Sequence, residues 1–212
     1  MPQTTYISEV SLKIQGATAP ESLMEDILQV VVEESLTLPS MFTLVINNAA
    51  APGQETGTFW AHEDLFEIGK TVTIGFTSSA TESAEFDDQA SGNVIEGEIT
   101  AIEANFTSGS QAPIIIRGYD RSHRLNRGRF NRSFQNMKDT DVVKKIIGEV
   151  GIAAGKVDDS GTPHDYIFQE NQTNMEFLRE RAARNGFELF VQDNKLYFRK
   201  PKVDETLSLK LL

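Results

Sequence analysis

Apolar and polar residues alternate with a period of two through much of the first 120 residues. The alternation is clearest over 9–14 and 42–47, and residues 72–76 follow it; residues 94–106 and 114–119 supply two more predicted strands. This period is typical of β-strands that bury one face. Residues 20–36 also fit one helical face, but the β-branched run at 30–32 favours a strand near the end of that segment.

Two stretches between these strands lack a periodic pattern. Residues 48–62 are rich in Ala, Gly and Thr, and residues 77–92 are rich in Ser and acidic residues with little to bury. We expect both to be loops and the second to be mobile, because such a composition cannot bury enough apolar surface to become ordered.

From residue 139 onward the period becomes helical. The sequence predicts a helix that ends at Gly151, with Asp139 or Thr140 as its N-cap, and a second helix that begins at a Thr173/Glu176 capping box. Residues 187–191 and 195–199 predict a hairpin, and 166–169 a third strand beside it, which makes a β-α-β-β unit. Alternating leucines at 207, 209 and 211 predict one more strand.

Composition limits the class of protein. The chain has 212 residues, 39% of them hydrophobic, and no cysteine, which excludes disulfides and thiol chemistry. No apolar run approaches the roughly 18 residues of a membrane span. The N-terminus lacks the basic and apolar regions of a secretory signal, so we expect synthesis in the cytoplasm and no association with a membrane.

Charge is distributed very unevenly along the chain. The net charge is −11, with 2 basic and 17 acidic residues over 1–116, but 9 basic and 3 acidic residues over 117–145. Six arginines lie within residues 117–132, here called the arginine belt. Arginine binds carboxylates with a planar fork and is weakly hydrated, so the belt predicts an interface between subunits or domains. The candidate interface residues are Arg117, Tyr119, Asp120, Arg121, His123, Arg124, Arg127, Arg129 and Arg132.

Two other interpretations of the belt stay open at this point. It is either a solvated face that pairs within the chain with Asp120, Asp139 and Asp141, or a nucleic-acid site. The acidic remainder of the chain and the few aromatic residues near the arginines disfavour nucleic acid.

Catalytic motifs are weak. Gly69, Lys70 and Thr71 resemble the end of a phosphate-binding loop, but Asp64 stands where its first glycine belongs. The three histidines are far apart, and no nucleophile elbow occurs. We therefore expect no enzyme, no cofactor and no metal; a carbohydrate-active enzyme is the least favoured alternative, because no feature selects a pair of carboxylates.

Four motifs occur in an order that resembles a known family. They are Pro39-x-x-Phe42-x-Leu44-x-Ile46, Phe66-x-x-Gly69-x-x-Val72-x-Ile74, the arginine belt itself, and Tyr166-x-x-Gln169-x-Asn171-x-Thr173-x-x-Glu176. Together they resemble the late control gene D family of phage tail hub proteins, which includes the head of type VI secretion spikes and the hubs of contractile injection systems. The chain is similar to the N-terminal half of such a hub.

The resemblance implies an α+β protein of mainly antiparallel β-structure. Residues 1–128 would form a tail-tube-like β-barrel, 129–200 a small inserted or appended β-α-β-β domain, and 201–212 a strand that returns to the barrel or starts a second one. It also implies a structural homotrimer in the baseplate that adapts a hexameric tube to a trimeric spike. Its partners would be tail tube, spike or needle, and baseplate proteins, and DNA or effector cargo would pass through the ring without specific binding.

Overall fold

The computed structural model describes residues 5–35, 37–48, 62–81, 90–104 and 113–202. The chain divides into two compact units, Met1–Arg121 and Ser122–Leu212, and each unit has its own hydrophobic core. The strand predicted at residues 207–211 and most of the two predicted loops lie outside the described residues.

The first unit is built on one seven-stranded antiparallel sheet. Its strand order is β2-β1-β5-β6-β7-β4-β3. A short helix α1 precedes β3, and a 3-10 helix precedes β5. The elements are β1 (Thr5–Ile14), β2 (Ala17–Thr18), α1 (Glu21–Asp26), β3 (Ile27–Glu33), β4 (Met41–Ile46), the 3-10 helix Glu63–Leu65, β5 (Thr71–Thr81), β6 (Ala90–Ala104) and β7 (Ile114–Tyr119).

The alternating segments are confirmed as strands, and both interpretations of residues 20–36 are partly right, because α1 runs directly into β3. The predicted loop at 77–92 is too long. β5 continues to Thr81 and β6 begins at Ala90, since main-chain pairing such as Ser78 with Ala90 needs no apolar side chain.

A closed barrel is not confirmed. Within the described residues the sheet is open: β2 pairs with β1 over two residue pairs, and β3 pairs only with β4. Alternation along a strand reports which side chains share a face, and it carries no information on whether the first and last strands of a sheet meet.

The core of the first unit depends on close packing of Phe42 against glycines. A Cβ atom at Gly118 would lie 2.3 Å from Phe42 Cζ and 2.4 Å from the carbonyl oxygen of Glu98. Gly97 also has no space for a side chain, because a Cβ there would lie 2.7 Å from the carbonyl oxygen of Tyr119 and 3.0 Å from Phe42 Cε1. The buried ring therefore occupies the space that side chains on β6 and β7 would need.

The second unit packs two helices with two small sheets. β8 pairs antiparallel with β10, while β11, β12 and β9 form a sheet in which β9 is parallel to β12. The apolar residues of both helices share one core with these strands. The elements are a 3-10 helix (Arg121–Asn126) that leads into the unit, β8 (Phe130–Met137), α2 (Asp139–Val150), β9 (Ala153–Val157), β10 (His164–Gln172), α3 (Asn174–Asn185), β11 (Glu188–Gln192) and β12 (Lys195–Arg199).

Most local predictions for this unit are confirmed. The capping box at Thr173 is present, Gly151 ends α2 in the left-handed conformation, and the predicted hairpin turns at Asp193 and Asn194, which both have positive φ. The predicted N-cap of α2 is wrong. Lys138 is the capping residue, because Asp139 is already helical and its carboxylate is engaged elsewhere in the unit.

The third strand beside the hairpin was also assigned wrongly. The parallel strand β9 occupies that place, and β10 pairs with β8 instead. Neither β8 nor β9 shows a period-two apolar pattern in the sequence. In β8 the half-buried Arg132 shares the inner face with the buried Phe134, and β9 is rich in small residues.

Candidate protein interface

The arginine belt begins at the end of β7, where Arg117 pairs with a carboxylate on the neighbouring strand. Arg117 Nε lies 2.9 Å from Glu103 Oε1, and both side chains are about half exposed, at 43% and 49%. Tyr119 lies two residues further along the same strand, paired with Met41 and Glu98. An ion pair this exposed contributes at most about 1 kcal/mol, so Arg117 stays accessible to a partner.

Asp120 joins the end of β7 to the start of β4. Its main-chain N–H donates to the carbonyl oxygen of Ser40 at 2.9 Å, and its carboxylate accepts from the N–H of Ser40 at 2.9 Å. Arg121 Nε lies 3.6 Å from Oε1 of the buried Glu98, and Arg121 Nη2 lies 3.8 Å from Oε1 of the exposed Glu96. Both belt residues therefore have partners inside the first unit.

The middle of the belt forms the 3-10 helix and its exit. Arg124 Nη1 donates to the carbonyl oxygen of Val150 at 2.8 Å, and so satisfies a carbonyl at the C-terminal end of α2. Arg127 Nη2 lies 2.7 Å from His123 Nε2, a contact in which the neutral ring accepts the arginine proton. Residues 126–129 are exposed, so Arg127 extends from a solvent-facing turn.

The end of the belt contacts β10 and α3. Arg129 Nε donates to the carbonyl oxygen of Asn171 at 2.7 Å, and its Nη2 lies 3.2 Å from Glu176 Oε2. Its side chain is still 53% exposed. Arg129 therefore has internal contacts and also reaches solvent.

Arg132 is half-buried in the second unit, where all three of its guanidinium nitrogens have partners. Nε donates to Gln169 at 2.8 Å, Nη2 donates to Asn174 at 2.8 Å, and Nη1 pairs with Glu149. Its Cζ lies 4.9 Å from the ring centroid of Phe130 and 5.3 Å from that of Phe134. The three guanidinium nitrogens of Arg132 thus connect β8 to β10, α2 and α3.

The belt is therefore not a single basic surface. Arg121, Arg124 and Arg132 have partners within the chain, whereas Arg117, Arg127 and Arg129 combine an internal contact with solvent exposure. The acceptors of the pairs described here are Glu96, Glu98, Glu103, Glu149 and Glu176. The sequence predicted none of them as a partner of the belt, and it named Glu176 only for the capping box and the motif that begins at Tyr166.

Sequence reasoning missed a buried polar cluster in the second unit. Asp139 is 1% exposed, and its carboxylate accepts from Arg181 Nε at 2.5 Å and from Asn185 Nδ2 at 2.7 Å. His164 Nε2 lies 3.3 Å from Asp139 Oδ2 and 3.1 Å from Arg181 Nη2. Burial alone would raise the pKa of Asp139, but the hydrogen bonds and charge of Arg181, with the bond from Asn185, lower that pKa below its ordinary value.

Two surface carboxylates of the second unit also have lowered pKa values. A hydrogen bond from Gln172, followed by the contact with Arg184, lowers the pKa of Glu180. The hydrogen bond from Lys138 lowers the pKa of Asp159. Neighbouring side chains at the surface cause both shifts.

The residues considered for catalysis have structural contacts. Lys70 donates to the carbonyl oxygen of Asp64 at 2.8 Å, and both border a shallow cleft of about 200 Å³ beside Pro20. His62 lies 2.8 Å from Asp26, and His164 belongs to the second unit. In the described ranges, no three His, Asp or Glu side chains are arranged to hold a metal ion. No helix in those ranges is long and apolar enough to cross a membrane.

The sequence matches the model of the Alg8 N-terminal domain over residues 4–212. The chain belongs to this family. This match does not confirm the resemblance to the late control gene D family. No curated protein matches the sequence significantly.

Several solved structures share the fold of this Alg8 N-terminal domain. The 43 kDa tail protein of prophage MuSo2 from Shewanella oneidensis is 18% identical, with a TM-score of 0.68 over 91% of this chain and 53% of that chain. The E. coli c3393 protein, described as a component of the type VI secretion system with structural similarity to T4 bacteriophage tail proteins gp27 and gp5, is 18% identical, with a TM-score of 0.51 over 88% and 48%. A chain of the Francisella PdpA–VgrG complex is 10% identical, with a TM-score of 0.57 over 94% and 29%.

These comparisons establish a fold found in phage tail proteins and in proteins associated with type VI secretion spikes. The chain spans about half the length of the first two of these structures. At such identities the likeness concerns the arrangement of strands and helices, and it does not transfer the activity of any one neighbour.

Proposed function

We propose that this chain is the N-terminal part of a structural baseplate hub or spike-head component of a contractile phage tail or a related injection system. The observation that carries the proposal is the match of 91% of this sequence, and so of both units, to one chain of a prophage tail protein. A shared sheet alone would be weak support, because common folds host many functions. The match of a seven-stranded sheet unit followed by this particular α+β unit is more specific.

In this proposal the component adapts a hexameric tube to a trimeric spike. The domain comprising residues 1–128 forms the ring, 129–200 forms a small inserted or appended domain, and 201–212 returns to the first domain or begins a second. Three copies assemble with tail tube, spike or needle, and baseplate proteins into a particle, and the ring passes DNA or effector cargo without specific binding. The acidic excess over residues 1–116 supports this last point, because carboxylates repel nucleic acid.

The exposed arginines of the belt are the proposed contact residues between copies. Arg127 and Arg129 are the best candidates, because both lie in the exposed turn 126–129 and reach solvent despite their internal contacts. The first unit of a neighbouring copy, with its excess of carboxylates, is a complementary surface. Arg121, Arg124 and Arg132 instead contribute to folding in this proposal.

Light scattering after size exclusion tests the proposal on the full chain. We expect a trimer, and we expect the double charge reversal Arg127→Glu/Arg129→Glu to give a folded monomer, since like charges then meet across the contact. Its melting temperature should fall only slightly, through the lost contacts of Arg129 with Asn171 and Glu176, which are at the surface. Lys195→Glu/Lys200→Glu makes the same change in net charge elsewhere on the second unit and should leave the trimer intact. A wild-type chain that stays monomeric at all concentrations would contradict the ring, and a trimer that survives the Arg127/Arg129 reversal would contradict this interface.

The alternative of a nucleic-acid-binding module has less support. Most belt guanidinium groups donate to acceptors of their own chain, which leaves few of them for phosphates. An electrophoretic mobility assay decides the matter, because phosphate binding would weaken with salt at a log-log slope of about −0.9 per phosphate neutralised. We expect no measurable binding at physiological salt.

A further inference from the structure

The outer face of β10 presents two aromatic rings that the core does not use. Ile167 and Gln169 point inward and are buried, whereas Tyr166 is 59% exposed and Phe168 is 45% exposed. The two rings stack with centroids 6.3 Å apart and an interplanar angle of 12°. We call this pair the aromatic ledge.

The ledge is next to uncharged residues on the paired strand. Tyr166 is opposite Gln135, and Phe168 is opposite Ser133. Large exposed aromatic side chains that lie side by side are uncommon on surfaces that face only water, and Tyr is enriched where proteins meet. The ring faces carry partial negative charge and attract cations.

Unpaired acidic groups flank the ledge. Asp165 precedes it and Glu170 follows it, and both are exposed. In the described part of the chain neither carboxylate has an ion-pair partner, since the nearest belt arginines are engaged: Arg129 with Glu176 and Arg132 with Glu149. By the alternation of the strand, Glu170 lies on the same face as Tyr166 and Phe168, so this face of β10 combines two ring faces with the negative charge of Glu170, and Asp165 adds charge at the N-terminal end of the ledge.

The strand also has an open edge. Across the described ranges β10 pairs only with β8, in a sheet of two strands. An unpaired edge offers a row of N–H and C=O groups, and extended segments of partner proteins bind to such edges by main-chain hydrogen bonds while pockets and rings select their side chains.

We propose that β10 is a docking strand for an extended, arginine- or lysine-bearing segment of a protein partner. The segment pairs with the open edge of β10 and lays a cationic side chain over the aromatic ledge, with its charge next to Glu170. A cationic side chain interacts favourably with both the ring faces and the neighbouring carboxylate. An acidic segment would be repelled by the carboxylate, and a purely apolar segment would leave it without a partner. The inference goes beyond the proposed ring and does not depend on it, because the test follows the amides of β10 whatever the number of copies that associate.

The test adds a short peptide of alternating arginine and valine to the full chain labelled with nitrogen-15. We expect the amide signals of residues 164–170 to shift in a saturable manner. The same peptide with glutamate in place of arginine should not shift them. Tyr166→Ser/Phe168→Ser should weaken binding about tenfold and Glu170→Gln about threefold.

Matched variants separate the ledge from general effects. Phe76→Ser removes a ring that is 40% exposed in the first unit, and Asp193→Asn removes an exposed charge of the second unit, and neither should alter binding. Equal binding of both peptides, shifts confined to other residues, or no shift at millimolar peptide would overturn the proposal. Shifts of the same amides by chitohexaose and not by the arginine peptide would also overturn it, in favour of a glycan.

Discussion

Replacing Arg132 with alanine tests whether the last arginine of the belt serves the fold or an interface. The sequence placed it with the other belt arginines, yet its three nitrogens contact Gln169, Asn174 and Glu149, and its plane packs near two phenylalanine rings. If these contacts describe its role, the substitution lowers the stability of the second unit before it affects any association.

The expected loss follows from the groups left behind. Gln169 is 0% exposed, and in the described residues its side-chain oxygen accepts only from Arg132, so truncation leaves a buried acceptor unsatisfied at a cost of about 1–3 kcal/mol. Each cation–π contact adds about 0.5–1 kcal/mol. The pair with Glu149 adds at most about 1 kcal/mol, because that carboxylate is 39% exposed. We expect the free energy of unfolding to fall by about 3 kcal/mol.

Urea denaturation followed by circular dichroism measures the loss, and hydrogen exchange locates it. The amides of β8 and β10 should lose protection, whereas those of β4 and β7 in the first unit should keep it. Arg132→Lys keeps the charge without the planar fork and should recover about half of the lost stability.

Arg127→Ala is the matched control, since it removes an arginine of the same belt whose side chain is exposed. We expect it to change stability by less than about 0.5 kcal/mol. Equal effects of Arg132→Ala and Arg127→Ala, or an Arg132→Ala protein that keeps its stability but loses association, would refute the reasoning.

Four further substitutions test the packing, the buried charges and a helix cap of the two units. Gly118→Ala should destabilise the first unit by about 3 kcal/mol or prevent its folding, because the added methyl group has no space. Gly148→Ala, on the open surface of α2, should stabilise the second unit by about 0.5–1 kcal/mol. Soluble yield and urea midpoints check both, and a stable Gly118→Ala protein would contradict the packing. Asp139→Asn should cost about 3–5 kcal/mol at neutral pH because it leaves Arg181 buried without its charge partner. The lowered pKa of Asp139 means that its contribution is present above about pH 4 and is lost as pH falls through the folded value, so the variant should show a flatter acid-side decline in urea midpoint than the wild type. Thr173→Ala should cost about 1 kcal/mol in the same denaturation assay by removing the capping box, and no loss would contradict it.

The arginine belt shows where sequence reasoning reached its limit. Dense arginine predicts charge-assisted contacts, and the structure contains them, but their partners are not near in sequence. Arg117 pairs with a residue of β6, and Arg132 contacts residues 17 and 42 positions away. Partners at such separations are set by strand register and helix placement, which composition does not encode.

Local pattern alone determined the elements whose stability is local. Alternation fixed β1 and β4, the capping box fixed the start of α3, and Gly151 fixed the end of α2, since capping and pleating depend on neighbours within a few residues. The hairpin turn at Asp193 and Asn194 belongs to the same class, because its residues tolerate positive φ.

Tertiary structure alone decided the features that depend on distant partners. The open sheet, the pairing of β10 with β8 and the parallel placement of β9 each depend on which strand edges meet, and many sequences with the same periodicity would satisfy several such pairings. The burial of Asp139 with Arg181 and the exposure of Tyr166 and Phe168 follow from that choice. Side-chain type sets what a residue is able to contact, but the physical cost of burying or exposing it is defined only once the chain has placed its neighbours.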